Sequence, residues 1–191
     1  MRLFIALDID EPIRERITTF RDQMRRLAPD VRWVGPGTFH VTLQFLGETR
    51  KLDEIRHALQ QVKSTPSQIA FRGVGFFPNP KAPRVFWVGI EGDAHLQHLV
   101  AEIAGVLQPL GFERNAGPYQ PHLTLARSGS GRPRPMPAER PAPGLQQVRS
   151  RLEALPPPDF GTMTAHDFYL YESKLTSSGP RYAKLLRYPL I

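Results

Sequence analysis

The sequence predicts an α+β protein with largely antiparallel sheets and helices on the outer faces. Three observations carry this expectation. Strand-like segments come in pairs joined by turn residues, amphipathic helical segments fall between the pairs, and the pattern His-apolar-Thr-apolar occurs once in each half. The chain has 191 residues, enough for one domain or two small lobes that bury a core without disulfides or metal.

Taken in order, Arg2 to Asp8 reads as a short buried strand, with Asp10 as N-cap and Pro12 as first-turn proline of the next segment. Ile13, Ile17, Phe20, Met24 and Leu27 then form one apolar stripe at helical spacing. A brief strand, Val31 to Val34, and the turn Gly35-Pro36-Gly37 lead into the first His-Thr strand. Leu52, Ile55, Leu59 and Val62 mark a second helix. Ile69 to Phe77 and Arg84 to Ile90 read as a hairpin closed by Pro78-Asn79-Pro80. Gly73 and Gly75 suggest a bulge there, because no helix start and no Gly-Lys pair of a phosphate loop follows. Leu96, Leu99, Val100, Ile103, Val106 and Leu107 predict a third helix, closed by Pro109 and Gly111. The second His-Thr strand occupies 120 to 127. Ser128 to Pro143 is rich in Pro, Gly, Ser and Arg without periodicity, so 128–158 is expected to be a flexible Pro/Arg-rich insertion. Within it, Leu145, Val148, Leu152 and Leu155 have the spacing of a short helix. Thr162 to Tyr171 reads as one strand, and Tyr182 to Tyr188 as the last.

The two motifs are His40-Val41-Thr42-Leu43 and His122-Leu123-Thr124-Leu125. Alternation on a strand puts His40 and Thr42 on one face, toward a cleft, and Val41, Leu43 and Phe45 on the other, toward a core. One such tetrapeptide arises easily by chance. With this composition, a second independent match is expected in roughly one chain in a thousand.

Composition removes several chemistries. There is no cysteine, which excludes disulfides, thiolate zinc sites and thiol nucleophiles and fits a reducing, cytoplasmic setting. The apolar run Leu3 to Leu7 is too short for a signal peptide or a membrane span. The formal charge of +7 permits an anionic partner, but +4 of it lies in 127 to 153, on Arg127, Arg132, Arg134, Arg140, Arg149 and Arg151 against Glu139 and Glu153. His95 and His98, with Glu102 one turn on, have metal-ligand spacing but no fourth ligand, so a solvated helix face is expected. His57 and His166 read as surface or structural. Phe45, Trp87, Phe168 and Tyr169 are candidates to stack a terminal base, with core packing the default for each.

Two imidazoles and two hydroxyls suit phosphodiester chemistry. Attack and departure lie on opposite sides of phosphorus, so a base is wanted on one side and an acid on the other. Histidine fills either role near neutral pH. A threonine two residues along a strand, roughly 6 to 7 Å away, reaches a non-bridging phosphate oxygen.

These residues are similar to the paired signature of the two-histidine phosphoesterases. Within that superfamily the chain resembles the bacterial and archaeal RNA 2',3'-cyclic phosphodiesterases, formerly called 2'-5' RNA ligases. The likeness extends to Arg2-Leu3-Phe4-Ile5-Ala6, Arg32-Trp33-Val34, Phe45-Leu46-Gly47 and Leu175 to Tyr182. It implies one bilobal domain over 1–191, with two sheets in pseudo-twofold symmetry around a central cleft. It further implies a monomer that opens RNA 2',3'-cyclic phosphate ends to 2'-phosphates without metal or cofactor. By the same resemblance His40 is the general acid on the 3'-oxygen, His122 is the general base on water, and Thr42, Thr124 and Arg127 hold the phosphate. Strict alternation puts Arg127 on the face opposite His122 and Thr124, so its role requires the strand to bend or end there. Action on 2'-5' linkages or small cyclic nucleotides, and silent binding of RNA ends, are the alternatives that the sequence leaves open.

Overall fold

The computed structural model describes residues 1–113, 117–129, 143–177 and 179–191. The strands are β1 (Arg2–Leu7), β2 (Arg32–Trp33), β3 (Val41–Glu48), β4 (Ser67–Phe77), β5 (Val85–Gly92), β6 (His122–Arg127), β7 (Asp159–Ala165), β8 (Asp167–Thr176) and β9 (Gly179–Pro189). The helices are α1 (Glu11–Arg25), α2 (Leu52–Leu59), α3 (Ala94–Leu107) and α4 (Pro143–Leu152). One sheet has the order β3-β1-β8-β9 and the other β2-β6-β5-β4-β7, and every pairing is antiparallel. The α+β class with two antiparallel sheets is as the sequence predicts, and each sheet carries one His-Thr strand.

β1 shows why both faces of a sheet matter. Leu3, Ile5 and Leu7 enter the main core, whereas Phe4 and Ala6 point the other way and join Tyr171, Tyr169 and Tyr182 in a separate aromatic floor. α1 buries Ile13, Ile17 and Met24 as its stripe dictates, while Leu27 lies beyond the helix and is 37% exposed. Asp10 holds the N-cap position with its backbone, its carbonyl accepting from Arg14 N–H, but its side chain makes no capping bond. α3 is capped by a side chain: Asp93 accepts from the amides of His95 and Leu96 and also from Ser67 Oγ.

Two expectations are corrected here. The alternating run Thr162 to Tyr171 is two strands, because the chain breaks at His166 and passes from the five-stranded sheet to the four-stranded one. Both halves keep their apolar residues inward, so alternation alone does not reveal the break. In the 128–158 insertion, residues 130–142 lie outside the described residues, with Arg132, Arg134 and Arg140. The part from 143 is not a flexible appendage: α4 forms and seats Leu145 and Val148 fully in the core. It ends at Leu152, which leaves Leu155 partly exposed.

The expected bulge in β4 is present. The register slips between Phe71 and Val74, and Gly73 takes φ +68°. This kink aims the Arg72 carbonyl at Gly89 of β5, where an added Cβ would lie 2.4 Å from that oxygen. Gly89 pairs with His122, so the tight approach sits directly under the second motif. Gly89→Ala is therefore expected to cost about 1–3 kcal/mol of stability, read as a lowered melting temperature in calorimetry. An unchanged melting temperature would show that the hairpin yields freely.

Candidate active site

His40 and His122 are held alike. His40 immediately precedes β3 and His122 opens β6, and in each case ring Nδ1 meets the carbonyl two residues earlier: Thr38 at 2.8 Å and Gln120 at 2.9 Å. A carbonyl only accepts, so Nδ1 carries a proton and Nε2 is left as the reactive nitrogen. Aromatic rings fix each imidazole from the side. His40 lies 4.9 Å from Phe4 and 5.1 Å, edge-on, from Tyr182; His122 lies 4.9 Å, edge-on, from Phe77 and 6.3 Å from Trp87. The turn that presents the Thr38 carbonyl is tied down by Arg14 of α1, whose guanidinium donates to the Pro36 carbonyl at 2.5 Å, the Ile9 carbonyl at 3.2 Å and Asp8 at 2.9 Å.

A bulge follows the threonine in both motifs. In β6, Thr124 pairs with Trp87 and Ala126 with Phe86, so Leu125 is an extra residue. Arg127 then pairs with Val85, which shares a face with Trp87. The slip returns Arg127 to the face of Thr124, with Leu125 and Ala126 both buried behind it. The bend that the sequence required for Arg127 is this bulge. In β3, Thr42 pairs with Ala6 and Gln44 with Ile5, leaving Leu43 extra and bringing Phe45 opposite Phe4. Phe45 therefore joins Thr42 on the cleft face at 54% exposure, which corrects its expected place in the core row. Thr42-x-x-Phe45 in one lobe corresponds to Thr124-x-x-Arg127 in the other.

His40, His122 and Arg127 lie close enough to act on one another, Thr42 shares a cavity wall with His122, and Thr124 shares the strand face of His122. Thr42, Phe45, Tyr119 and His122 line one shared cavity, across which the Tyr119 hydroxyl donates to the Thr42 carbonyl at 2.9 Å. Arg127 is near enough to Tyr182 of the other sheet, and to Arg32 beside it, to feel both. Among the described residues nothing bonds the Thr42 or Thr124 hydroxyls, which leaves both available to a ligand. Burial lowers the proton affinity of both imidazoles below the ordinary value, against the pull of the Thr38 and Gln120 carbonyls. Arg127 lowers both further. His40 is also lowered by a charge on His122 and raised by Asp8. Two rings that repel each other's proton hold one proton between them more readily than two.

The other candidates separate from this site. His57 Nδ1 bonds the Asp53 carbonyl of its own helix, and His95 Nδ1 bonds Thr65. His166 sits at the break between β7 and β8, its carbonyl accepting from Leu190 N–H. Among the described residues no three His, Cys, Asp or Glu side chains gather as metal ligands. Phe168 packs in the core on Tyr188, as its default has it. Tyr169 lies under the Lys184 ammonium, and Trp87 lies beside His122 on the cleft face. Sequence reasoning missed Phe77, Tyr182, Asp8 and Arg14 as parts of the site. Their only linear signal is that Asp8 directly follows β1 and that Tyr182 closes the Leu175–Tyr182 stretch; strand pairing supplies the rest.

Known proteins match the chain along nearly its whole length. The 2'-5' RNA ligase superfamily matches residues 9–172. The RNA 2',3'-cyclic phosphodiesterase of Archaeoglobus fulgidus is 35% identical over 97% of this chain and 98% of its own, and that of Methanocaldococcus jannaschii 33% identical over 95% and 96%. A solved structure from Thermus thermophilus superposes with a TM-score of 0.79 at 27% identity, over 100% of this chain and 98% of that one. E. coli LigT in its apo form gives 0.74 at 25% identity, over 99% and 96%. A paired His-Thr cleft on this fold, matched along nearly its whole length, places the chain in the 2'-5' RNA ligase superfamily, among the enzymes named RNA 2',3'-cyclic phosphodiesterase.

Proposed function

We propose that the enzyme opens RNA 2',3'-cyclic phosphate ends to 2'-phosphates by paired-histidine acid and base catalysis, without metal. The observation that carries this reading is the pair of imidazoles, each with Nδ1 bonded to a carbonyl so that Nε2 is left for chemistry, close enough to each other and to Arg127 to interact. Thr42, Thr124 and Arg127 hold the non-bridging oxygens, Arg127 supplying the counter-charge. His122 Nε2 takes a proton from water as its oxygen bonds to phosphorus. The bond from phosphorus to the 3'-oxygen breaks on the opposite side, and His40 Nε2–H protonates that oxygen. The 2'-oxygen keeps the phosphate. Solvent then returns the proton from His122 to His40. Asp8 supports His40 as the acid, because among the described residues it is the one carboxylate among the charges acting on either ring.

His40→Ala and His122→Ala are each expected to lower turnover of a cyclic-phosphate-ended RNA by about 10² to 10⁴ with the fold intact, measured as appearance of 2'-phosphate ends. Full activity in both variants would remove the acid-base reading and leave a cleft that only binds. Turnover is also expected to be the same in excess chelator. Activity lost with chelator and restored by a divalent ion would overturn the metal-free step.

The pH dependence follows from the directions of the shifts. One imidazole must be charged and the other neutral, and both affinities are depressed below the ordinary value of 6.5. The bell in kcat/KM, which reports the free enzyme, should therefore peak on the acid side of that value and fall as pH rises and the imidazolium is lost. Arg127→Met removes a cation that lowers both rings, so the peak should move to higher pH while KM rises. A peak that stays in place would show that Arg127 does not act on the pair.

A further inference from the structure

A cavity of about 340 Å³ is lined in part by His40, Asp8, Arg14, Tyr171, Tyr182 and Lys184, and no step above places a substrate group in it. Tyr171 is its unusual wall. The residue is 6% exposed and its ring stacks on Phe4 at 5.0 Å, yet no described group bonds its hydroxyl. That hydroxyl stands beside Asp8 and Arg14, where burial, then Asp8, raises its pKa and keeps it a proton donor. Lys184 pairs with Tyr171 across β8 and β9, and so projects on the same face. Its ammonium lies 4.4 Å over the Tyr169 ring and is ion-paired with Asp8, which leaves donors free toward the cavity.

The local charge favours an anion. Burial raises the pKa of Asp8, but bonds from Lys184 and the Ile9 amide outweigh it and keep the carboxylate ionised. Its two partners are both cations, so the wall carries an excess of one positive charge. Glu11, the other acid on Arg14, is 71% exposed and does not line the cavity. Arg14 commits four of its five N–H donors to Asp8, Glu11 and two carbonyls, and so contributes chiefly charge. Lys184 and Tyr171 contribute the donors.

Stereochemistry says which anion. In-line opening puts water and the departing 3'-oxygen on opposite sides of phosphorus. The 3'-oxygen belongs to the terminal ribose. With His40 as acid, on which this inference rests, the ribose and the RNA chain lie on the His40 side of the reacting phosphate. The next charged group along that chain is the phosphodiester on the ribose 5'-oxygen. The geometry points to this cavity as a second phosphate subsite, in which the Tyr171 hydroxyl and the Lys184 ammonium hold the 5'-phosphodiester of the terminal nucleotide. It selects RNA ends over cyclic mononucleosides, which lack that group.

The test compares four substrates on the full chain. These are uridine 2',3'-cyclic phosphate, its 5'-phosphorylated form, the cyclic-phosphate-ended dinucleotide, and that dinucleotide with a neutral methylphosphonate linkage. The two substrates with a charged 5' group should exceed the plain nucleoside in kcat/KM by roughly tenfold, the scale of one charge-assisted hydrogen bond. The neutral linkage should lose most of that advantage. Lys184→Gln and Tyr171→Phe should each erase the preference while leaving turnover of the plain nucleoside within about twofold. A 5'-phosphorylated mononucleotide that gains nothing, beside a dinucleotide that gains tenfold in a charge-independent way, would overturn the subsite in favour of contacts to the second nucleoside. Equal rates on charged and neutral linkages, a preference that survives both variants, or a matching loss on every substrate would overturn it too. Failure of the acid role itself reads out separately, as His40→Ala retaining turnover of the plain nucleoside.

Discussion

Everything in the cleft depends on the bond that each catalytic-motif histidine makes with its own backbone, Nδ1 to the carbonyl two residues back. An imidazole without it would interchange tautomers and turn about its side-chain bonds. With it, one nitrogen is committed and the other is presented. The bond is local, which is why the same tetrapeptide builds the same device in both lobes. What holds the carbonyl differs: Arg14 ties the Pro36–Thr38 turn to α1 and β1, whereas the segment before His122 is pinned across the cleft by Tyr119 and the Thr42 carbonyl.

The second constraint is the bulge after each threonine. A regular strand would offer the cleft residues at even spacing, and Arg127 and Phe45 would face the core. One extra residue at Leu125, and another at Leu43, change the phase at the site and restore the cleft with a cation on one side and an aromatic ring on the other. The duplicated architecture is thus made asymmetric by two side chains at equivalent positions. Asp8, which acts on His40 alone, adds to the asymmetry. Two nearly equal imidazoles can then take unequal roles.

The sequence makes some of this legible and hides the rest for physical reasons. His40, Thr42, His122 and Thr124 are readable because a period of two is enforced by the backbone over a few residues. The helices are readable because Ile13-Ile17-Met24 and Leu96-Leu99-Ile103 must face a core. The bulges are hidden because their extra residues, Leu43 and Leu125, are apolar and buried like their neighbours; the buried pair Leu125-Ala126 is the faint trace. The join at His166 is hidden because each strand packs its apolar face inward on a different sheet. The aromatic floor of Phe4, Tyr171 and Tyr182 is assembled from both ends of the chain, and pairing at that separation leaves no local mark.

The division of labour between the two rings is tested most directly by removing the need for an acid. In a substrate whose 3'-oxygen is replaced by sulfur, the leaving group departs without protonation. His40→Ala should then recover much of its lost rate while His122→Ala remains slow, since water still needs a base. Rescue of His122→Ala in place of His40→Ala would contradict the assignment, and rescue of neither would contradict acid catalysis by either ring.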